Sequence, residues 1–361
     1  MTAPHIDFSE LRESTNERRR HAAQVIGHAA RTSGFFYLTN TGISPEQIRC
    51  MLEASRTFFD QPEARKLELR WATKLGVLGY IPREREGLDE RLPPDLKESF
   101  NVPPPVGNRE PTDADRGWHA SSDPLRDATD TFAALCFTLG QEIFSAIALS
   151  LDLPETFFIE GHRPDDQGMR LFHYFPAQDR SSERQLACGE HSDHGTLSLV
   201  FQDEAGGLEF RDSEGEWHSL PPVEGAVLVN AGDMMARWTG GVVRAAPHRV
   251  LSPERHRYSI GYFLIPRYEV VLSCPRTAVL AGTPETPQPF TVEEFLYLRS
   301  LRRTERYFRH HGLLAKGARP RGLVEMKANV AERLGIDVAA LDQRLGEFGY
   351  IDTRDAVAME A

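Results

Sequence analysis

Residues 191–210 read HSDHGTLSLVFQDEAGGLEF, and the pattern in them is that of short strands rather than helix. Thr196–Phe201 alternates and carries strand-favouring residues. Gly207–Phe210 begins a second such run after the Gly206-Gly207 pair, which reads as a hairpin turn. Working outward, Ala226–Asn230 and Arg257–Ile265 have the same character, and Gly240-Gly241 reads as another turn. Strands this short, with Gly, Pro, Asp and Ser between them, make a compact antiparallel sandwich or jelly roll.

On both sides of this zone the periodicity becomes helical. Ala22, Val25, Ile26 and Ala29 recur at helical spacing until Gly34, where the strand-like Phe35–Leu38 takes over. Ser44-Pro45-Glu46-Gln47 combines an N-cap, a first-turn proline and a capping-box Gln. The prolines and charges of Leu88–Pro105 predict loop, and a long helix is predicted after Ser122, with Phe132, Leu135, Cys136, Leu139, Ile143 and Ile147 on one face. Thr291-Val292-Glu293-Glu294 starts another helix, Leu323, Met326, Val330 and Leu334 mark a second, and Asp337 caps a third with Val338, Leu341 and Leu345 as its stripe. The expectation is an α+β chain: residues 1–153 mainly helical and packed on the core, 154–275 the jelly-roll core, and 276–361 a helical region that either packs on the domain or across a dimer, or closes over the substrate mouth as a lid.

Composition narrows the function. Apolar residues make up 40% of 361, enough for a sizeable core, and the net charge of −11 argues against a nucleic-acid partner. No apolar signal core and no stretch resembling a membrane span stands out. Cys50, Cys136, Cys188 and Cys274 are scattered without a CxxC pair, which fits reduced thiols in a cytoplasm.

His191-Ser192-Asp193 lies at a strand end, and His248 follows in another strand-like run. Two imidazoles and one carboxylate fill one face of an octahedral ion and leave the rest open, the arrangement that suits ferrous oxygen chemistry. The i and i+2 side chains of an extended strand point the same way, while the second histidine must come from a neighbouring strand. HxD alone is weak evidence; His5-Ile6-Asp7 also matches and reads as an N-terminal strand. The ordered set is far more specific, with Arg257-Tyr258-Ser259 nine positions after His248 and everything inside the β zone. His194 is expected to face away from the metal by alternation.

The chain resembles the isopenicillin N synthase-like branch of the iron(II)/2-oxoglutarate-dependent dioxygenases. The resemblance rests on GFFYLTNTGI (34–43), DLKESFNV (95–102), MRLFHYFP (169–176), the 191–210 stretch, VNAGDMMARWTGG (229–241), PHRV (247–250) and RYSIGYF (257–263). It spans about residues 4–310, and the residues after Gly312 match nothing in it. It implies a double-stranded β-helix (jelly-roll) core flanked by helices, with His191, Asp193 and His248 as Fe(II) ligands. Arg257 and Ser259 would hold the distal carboxylate of 2-oxoglutarate, a guanidinium fork offering two parallel charge-assisted hydrogen bonds. Tyr174 would touch the same acid, and Arg170, four positions earlier on the strand, would reach cosubstrate or substrate or else form a structural ion pair. Phe172 stands where many members carry Asn, and Asn230 resembles a residue of the metal pocket's surroundings. Phe263 would either lie over the substrate or pack in the core, and Arg309, near the end of a C-terminal helix, would lie on the substrate side.

The implied reaction consumes O₂ and 2-oxoglutarate, releases succinate and CO₂, and oxidises a small organic molecule, by hydroxylation as the default. Substrate contacts are expected around Gly79-Tyr80 and Glu98–Val102. Two alternatives stay open: an isopenicillin N synthase-type oxidase that uses RxS for a substrate carboxylate, and a non-catalytic jelly-roll binding module. Oligomeric state is not legible.

Overall fold

Two facing sheets and the helices behind them make up the computed structural model of this chain, which describes residues 2–12, 16–73, 76–89, 91–103, 124–274, 289–310 and 321–348. In chain order the elements are β1 (His5–Asp7), α1 (Asn16–Thr32), β2 (Phe35–Thr39), α2 (Pro45–Phe59), α3 (Glu63–Leu67), β3 (Arg70–Thr73), β4 (Gly76–Ile81), β5 (Lys97–Val102) and α4 (Pro124–Ser150). Then come β6 (Gly168–Tyr174), β7 (Cys188–His191), β8 (Leu197–Gln202), β9 (Leu208–Arg211), β10 (Trp217–Ser219), β11 (Val227–Ala231), α5 (Asp233–Trp238), β12 (His248–Val250) and β13 (Arg257–Leu264). The small pair β14 (Val271–Leu272) and β15 (Phe290–Thr291) precedes α6 (Val292–His310), α7 (Arg321–Leu334) and α8 (Val338–Glu347).

The larger sheet runs β1-β2-β11-β8-β13-β6-β5-β4-β3, and the smaller runs β10-β9-β12-β7. Strand alternation gives the larger sheet two chemically different faces. Tyr258, Ile260, Tyr262 and Leu264 of β13, with Leu197, Leu199 and Phe201 of β8, bury against the helices in the main core. Facing the smaller sheet, Phe35, Tyr37, Tyr174 and Leu228 share a second core with Leu208, Phe210 and Val250. Arg257, Ser259, Gly261 and Phe263 alternate with the first set and so lie on this inner side.

The punctuation read from the sequence is present. Gly34 takes a positive φ of 72° and ends α1, Ser44 and Gln47 form a full capping box on α2, and Thr291 and Glu294 cap each other at the start of α6. His5–Asp7 is a strand, paired parallel to β2.

Four expectations need correcting. Residues 97–102 are not loop: β5 pairs with β4 and β6, and all of β1 to β5 from the first part of the chain lie in the larger sheet. Its charges are buried in pairs on opposite faces, Lys97 with Asp95 and Glu98 with Lys66. Gly206-Gly207 is a crossing from one sheet to the other, and Gly240-Gly241 closes the C-terminus of α5, where both residues have positive φ, so neither pair is a hairpin turn. α4 is long and apolar enough to span a bilayer by length and composition, but it serves as a core helix, packed on α1, α2, β8 and β13. Lastly, Val338 is exposed, and the stripe of α8 continues instead through Leu341, Leu345 and Phe348, which are buried in the main core.

Glu98 ties β5 to its surroundings. It accepts from Lys66 Nζ at 2.8 Å and from the Tyr80 hydroxyl, and bonds His173 Nδ1 at 2.7 Å; His173 Nε2 then meets His256 Nδ1 at 2.8 Å. Burial pushes its carboxyl up, but the hydrogen bonds from His173, Lys66 and Tyr80 outweigh this and hold it below its ordinary value of 4.5. A lowered folded-state value means the stabilisation is full above about pH 4.5 and is lost as pH falls through the folded value. Glu98→Gln is therefore expected to cost about 3–5 kcal/mol at neutral pH, the range for removing one partner of a buried ion pair. The variant should also lose less stability than wild type between pH 7 and pH 4. Urea unfolding at the two pH values measures both effects, and equal curves for the two proteins would refute the assignment.

Candidate active site

Cross-strand register brings the two histidines together. β12 pairs antiparallel with β7 so that His248 sits opposite His191, their ring centroids 4.1 Å apart. His191 Nδ1 lies 2.9 Å from the Gly189 carbonyl and His248 Nδ1 lies 3.2 Å from the Ala246 carbonyl. A carbonyl only accepts, so each Nδ1 carries the proton and each Nε2 presents its electron pair. Both Nε2 atoms lie 3.7 Å from Asp193 Oδ1, and the three ligand atoms are all within 4.8 Å of one another. The other carboxylate oxygen, Asp193 Oδ2, accepts from Ser198 Oγ and, at 2.7 Å, from Asn230 Nδ2. That division turns Oδ1 toward the histidines. His194 is not one of the three clustered residues.

On the inner side of β13 lies a buried cation. Arg257 is 1% exposed. Its Nη1 donates to Ser259 Oγ at 3.2 Å and its Nη2 to Gln202 Oε1 at 3.0 Å, while the guanidinium stands 4.6 Å from the Tyr174 ring centroid. Ser259 Oγ donates to Tyr174 Oη at 3.3 Å. Burial raises the Tyr174 hydroxyl's pKa, with Arg257 pulling against it, so the phenol stays protonated and able to donate. Among the described residues no carboxylate pairs with Arg257, and its buried Nε has no partner. A guanidinium kept out of water without a counter-charge is a receptor for an anion.

The remaining candidates divide. Arg170 pairs with Glu86 and donates to Ser99 Oγ at 2.7 Å, with its guanidinium 5.0 Å from the Phe172 ring centroid, so the ion-pair reading is the one observed. Phe172, in place of the Asn common in the resembling family, stacks on Tyr174 at 5.9 Å. Phe263 belongs to neither core cluster and lies on the inner side; a Cβ at Gly261 would come within 2.7 Å of its ring, so glycine makes its room. Tyr80 and Glu98 face the helices, which leaves Lys97, Ser99 and Asn101 as the inward residues of β5. The side chain of Arg309 lies outside the described residues. Ser198 and Gln202 escaped the sequence reading; both sit on the same face of β8, two strand positions from Val200, and that alternation was the available signal.

Residues 3–122 match the model of the non-haem dioxygenase in morphine synthesis N-terminal region, and residues 165–266 match that of the 2OG-Fe(II) oxygenase superfamily. The 2-oxoglutarate-dependent dioxygenase citB of Monascus ruber is 31% identical over 281 residues, covering 72% of this chain and 83% of that protein. The chain belongs to the 2OG-Fe(II) oxygenase superfamily. This oxygenase is also 28% identical over 304 residues to a 2-oxoglutarate-Fe(II) type oxidoreductase of Aspergillus fumigatus, covering 81% and 90% of the two chains. It superposes on a full-length Neurospora crassa protein crystallised in complex with alpha-KG with a TM-score of 0.72 and 29% identity, covering 82% and 95%. The same fungal protein's complex with alpha-KG and thymine superposes at 0.72 and 28%, covering 82% and 96%.

It is thus a non-haem Fe(II)- and 2-oxoglutarate-dependent dioxygenase acting on a small organic molecule, with O₂ consumed and succinate and CO₂ released. The oxidase and binding-module alternatives are disfavoured by relatives that depend on 2-oxoglutarate. The donor set of the triad and the orphaned guanidinium fit this cofactor pair. If Ser198 and Asn230 orient Asp193, the double variant Ser198→Ala/Asn230→Ala should weaken Mn(II) binding by about 10–100-fold, the usual cost of losing outer partners of a ligand. Calorimetric titration measures this, and an unchanged affinity would rule the orienting role out.

Proposed function

We propose that His191, Asp193 and His248 hold the ferrous ion through two Nε2 atoms and one Oδ1, and that Arg257, Ser259 and Tyr174 hold the distal carboxylate of 2-oxoglutarate. The observation that carries this reading is the fully buried Arg257, which no carboxylate of the described residues neutralises, on the same inner side as the three-residue cluster. When bound, iron and 2-oxoglutarate supply the oxidation: the 2-oxo acid loses CO₂ and becomes succinate with one oxygen atom of O₂, and the other goes to the substrate. The chain's own residues bind and orient. Arg257 supplies a two-pronged charge, Ser259 and Tyr174 hydroxyls complete the anion's shell, and Gln202 keeps the guanidinium from turning. Phe172 and Phe263 keep the inner side apolar around the reacting centre.

Hydroxylation of a substrate carbon is the default outcome we propose. Arg170, Ser99 and Phe263 line the substrate side, with Arg309 placed there by family resemblance alone. A planar polar molecule is a fitting class, since the Neurospora crassa protein that this chain resembles holds thymine in its complex. A cytoplasmic setting accords with the buried thiols of Cys136 and Cys188, neither of which forms a disulfide among the described residues.

Arg257→Lys should weaken 2-oxoglutarate about 10–100-fold while leaving Mn(II) affinity within about twofold, because lysine keeps a charge but loses the fork. His191→Ala, Asp193→Ala or His248→Ala should instead abolish O₂-dependent succinate formation, since three ligands leave no redundancy. An Arg257→Lys protein with wild-type affinity for 2-oxoglutarate would place the cosubstrate elsewhere.

A further inference from the structure

The segment that carries two of the three clustered residues is held from a distance. Ser192, between His191 and Asp193, offers its carbonyl to Arg299 Nη2 at 2.9 Å. Arg299 also pairs with Asp233, whose Oδ2 accepts from Ser192 Oγ at 3.2 Å and whose backbone N–H donates to the Asp193 carbonyl at 2.9 Å. Met234 N–H donates to the His194 carbonyl at 3.2 Å, and Gly232 N–H to that of Thr196 at 2.9 Å. The start of α5 thus holds the 193–196 backbone from one side, and Arg299 closes the frame from the other.

Arg299 belongs to α6, which the core fixes in place: Leu298 and Leu301 are fully buried, Phe295 nearly so, and Arg299 itself is 7% exposed. One helical turn on, Arg303 donates to the Gly87 carbonyl at 2.7 Å, next to Glu86, the partner of Arg170. A buried guanidinium that bridges a backbone carbonyl and a carboxylate has little freedom left, so its position fixes theirs. Ligand geometry is decided by such outer contacts as much as by the ligands.

We infer that Arg299 is a positioning residue for the metal centre, through which the C-terminal helix α6 sets the His191–Asp193 segment. The inference rests on the ligand assignment proposed above. It implies that the C-terminal part of the chain shapes the metal centre besides packing behind it.

The test uses the full-length protein and Mn(II), a redox-silent probe, titrated by calorimetry well below the unfolding temperature. Arg299→Gln should stay folded and bind Mn(II) about tenfold more weakly, the lower end for outer-contact loss since Arg299 acts through backbone and Asp233. Arg299→Lys, which keeps one contact, should recover part of that loss. Asp233→Asn, which leaves the Ser192 carbonyl contact intact, gives a milder second probe should Arg299→Gln fail to fold, and it should weaken Mn(II) at least threefold. A residue with a merely structural role would lower the unfolding temperature and leave the Mn(II) affinity of the folded protein unchanged; that result in Arg299→Gln, or in Asp233→Asn where the former does not fold, overturns the inference. His191→Ala is the control: wild-type Mn(II) affinity there would sink the ligand assignment itself, whereas loss there beside normal binding in Arg299→Gln would sink only the role of Arg299.

Discussion

A full positive charge lies between two sheets, 1% exposed and with no carboxylate of the described chain to meet it. Moving such a group out of water costs several kcal/mol unless its N–H groups find acceptors and its charge finds a partner. The chain meets the first demand at Nη1 and Nη2 but not at Nε, and the second is unmet among the described residues. Gln202 and Ser259 accept two N–H groups and the Tyr174 ring stands beside the cation, and these come from three neighbouring strands: β8, β13 and β6. Such an arrangement needs β13 in the middle of a sheet, with helices on its far face and a second sheet over its near face. An anion bound there would complete the electrostatics of the core, and with 2-oxoglutarate as that anion, as proposed, its binding and fold stability would be linked.

Alternation along strands makes this arrangement possible without mixing chemistries. On β13, residues 258, 260, 262 and 264 pack with the helices while 257, 259, 261 and 263 face the site. The same division puts Glu98 and His173 in a satisfied polar network on the helix side and Ser99 and Tyr174 on the site side. A one-residue slip of β5 or β6 would exchange these sets, which gives the buried Glu98 network a role in register as well as stability.

Much of this was legible in the residues. Helix punctuation follows local rules, so Gly34 and both capping boxes could be read directly, and the clustering of His191, Asp193 and His248 was foreshadowed by their order and spacing ahead of Arg257. What escaped reading depends on partners far away in sequence. Lys97 and Glu98 look like loop residues until Asp95, Lys66 and His173 are placed around them. Gln202 meets Arg257 across 55 positions, and Arg299 meets Ser192 across 107. Arg170 was legible as an inward-facing charge, but its pairing with Glu86 depends on where a loop settles.

In the proposed reading the triad, the buried Arg257 and the arginine of α6 are three layers of one assembly: ligands, the cosubstrate's anchor, and the frame that holds the ligand segment. A crystal structure grown without oxygen, with Mn(II) and 2-oxoglutarate, tests that assembly most directly. It should place the metal on His191 Nε2, Asp193 Oδ1 and His248 Nε2, with the distal carboxylate on Arg257 and Ser259. A distal carboxylate held by Arg170 instead, with Arg257 still bonded only to Gln202 and Ser259, would contradict it.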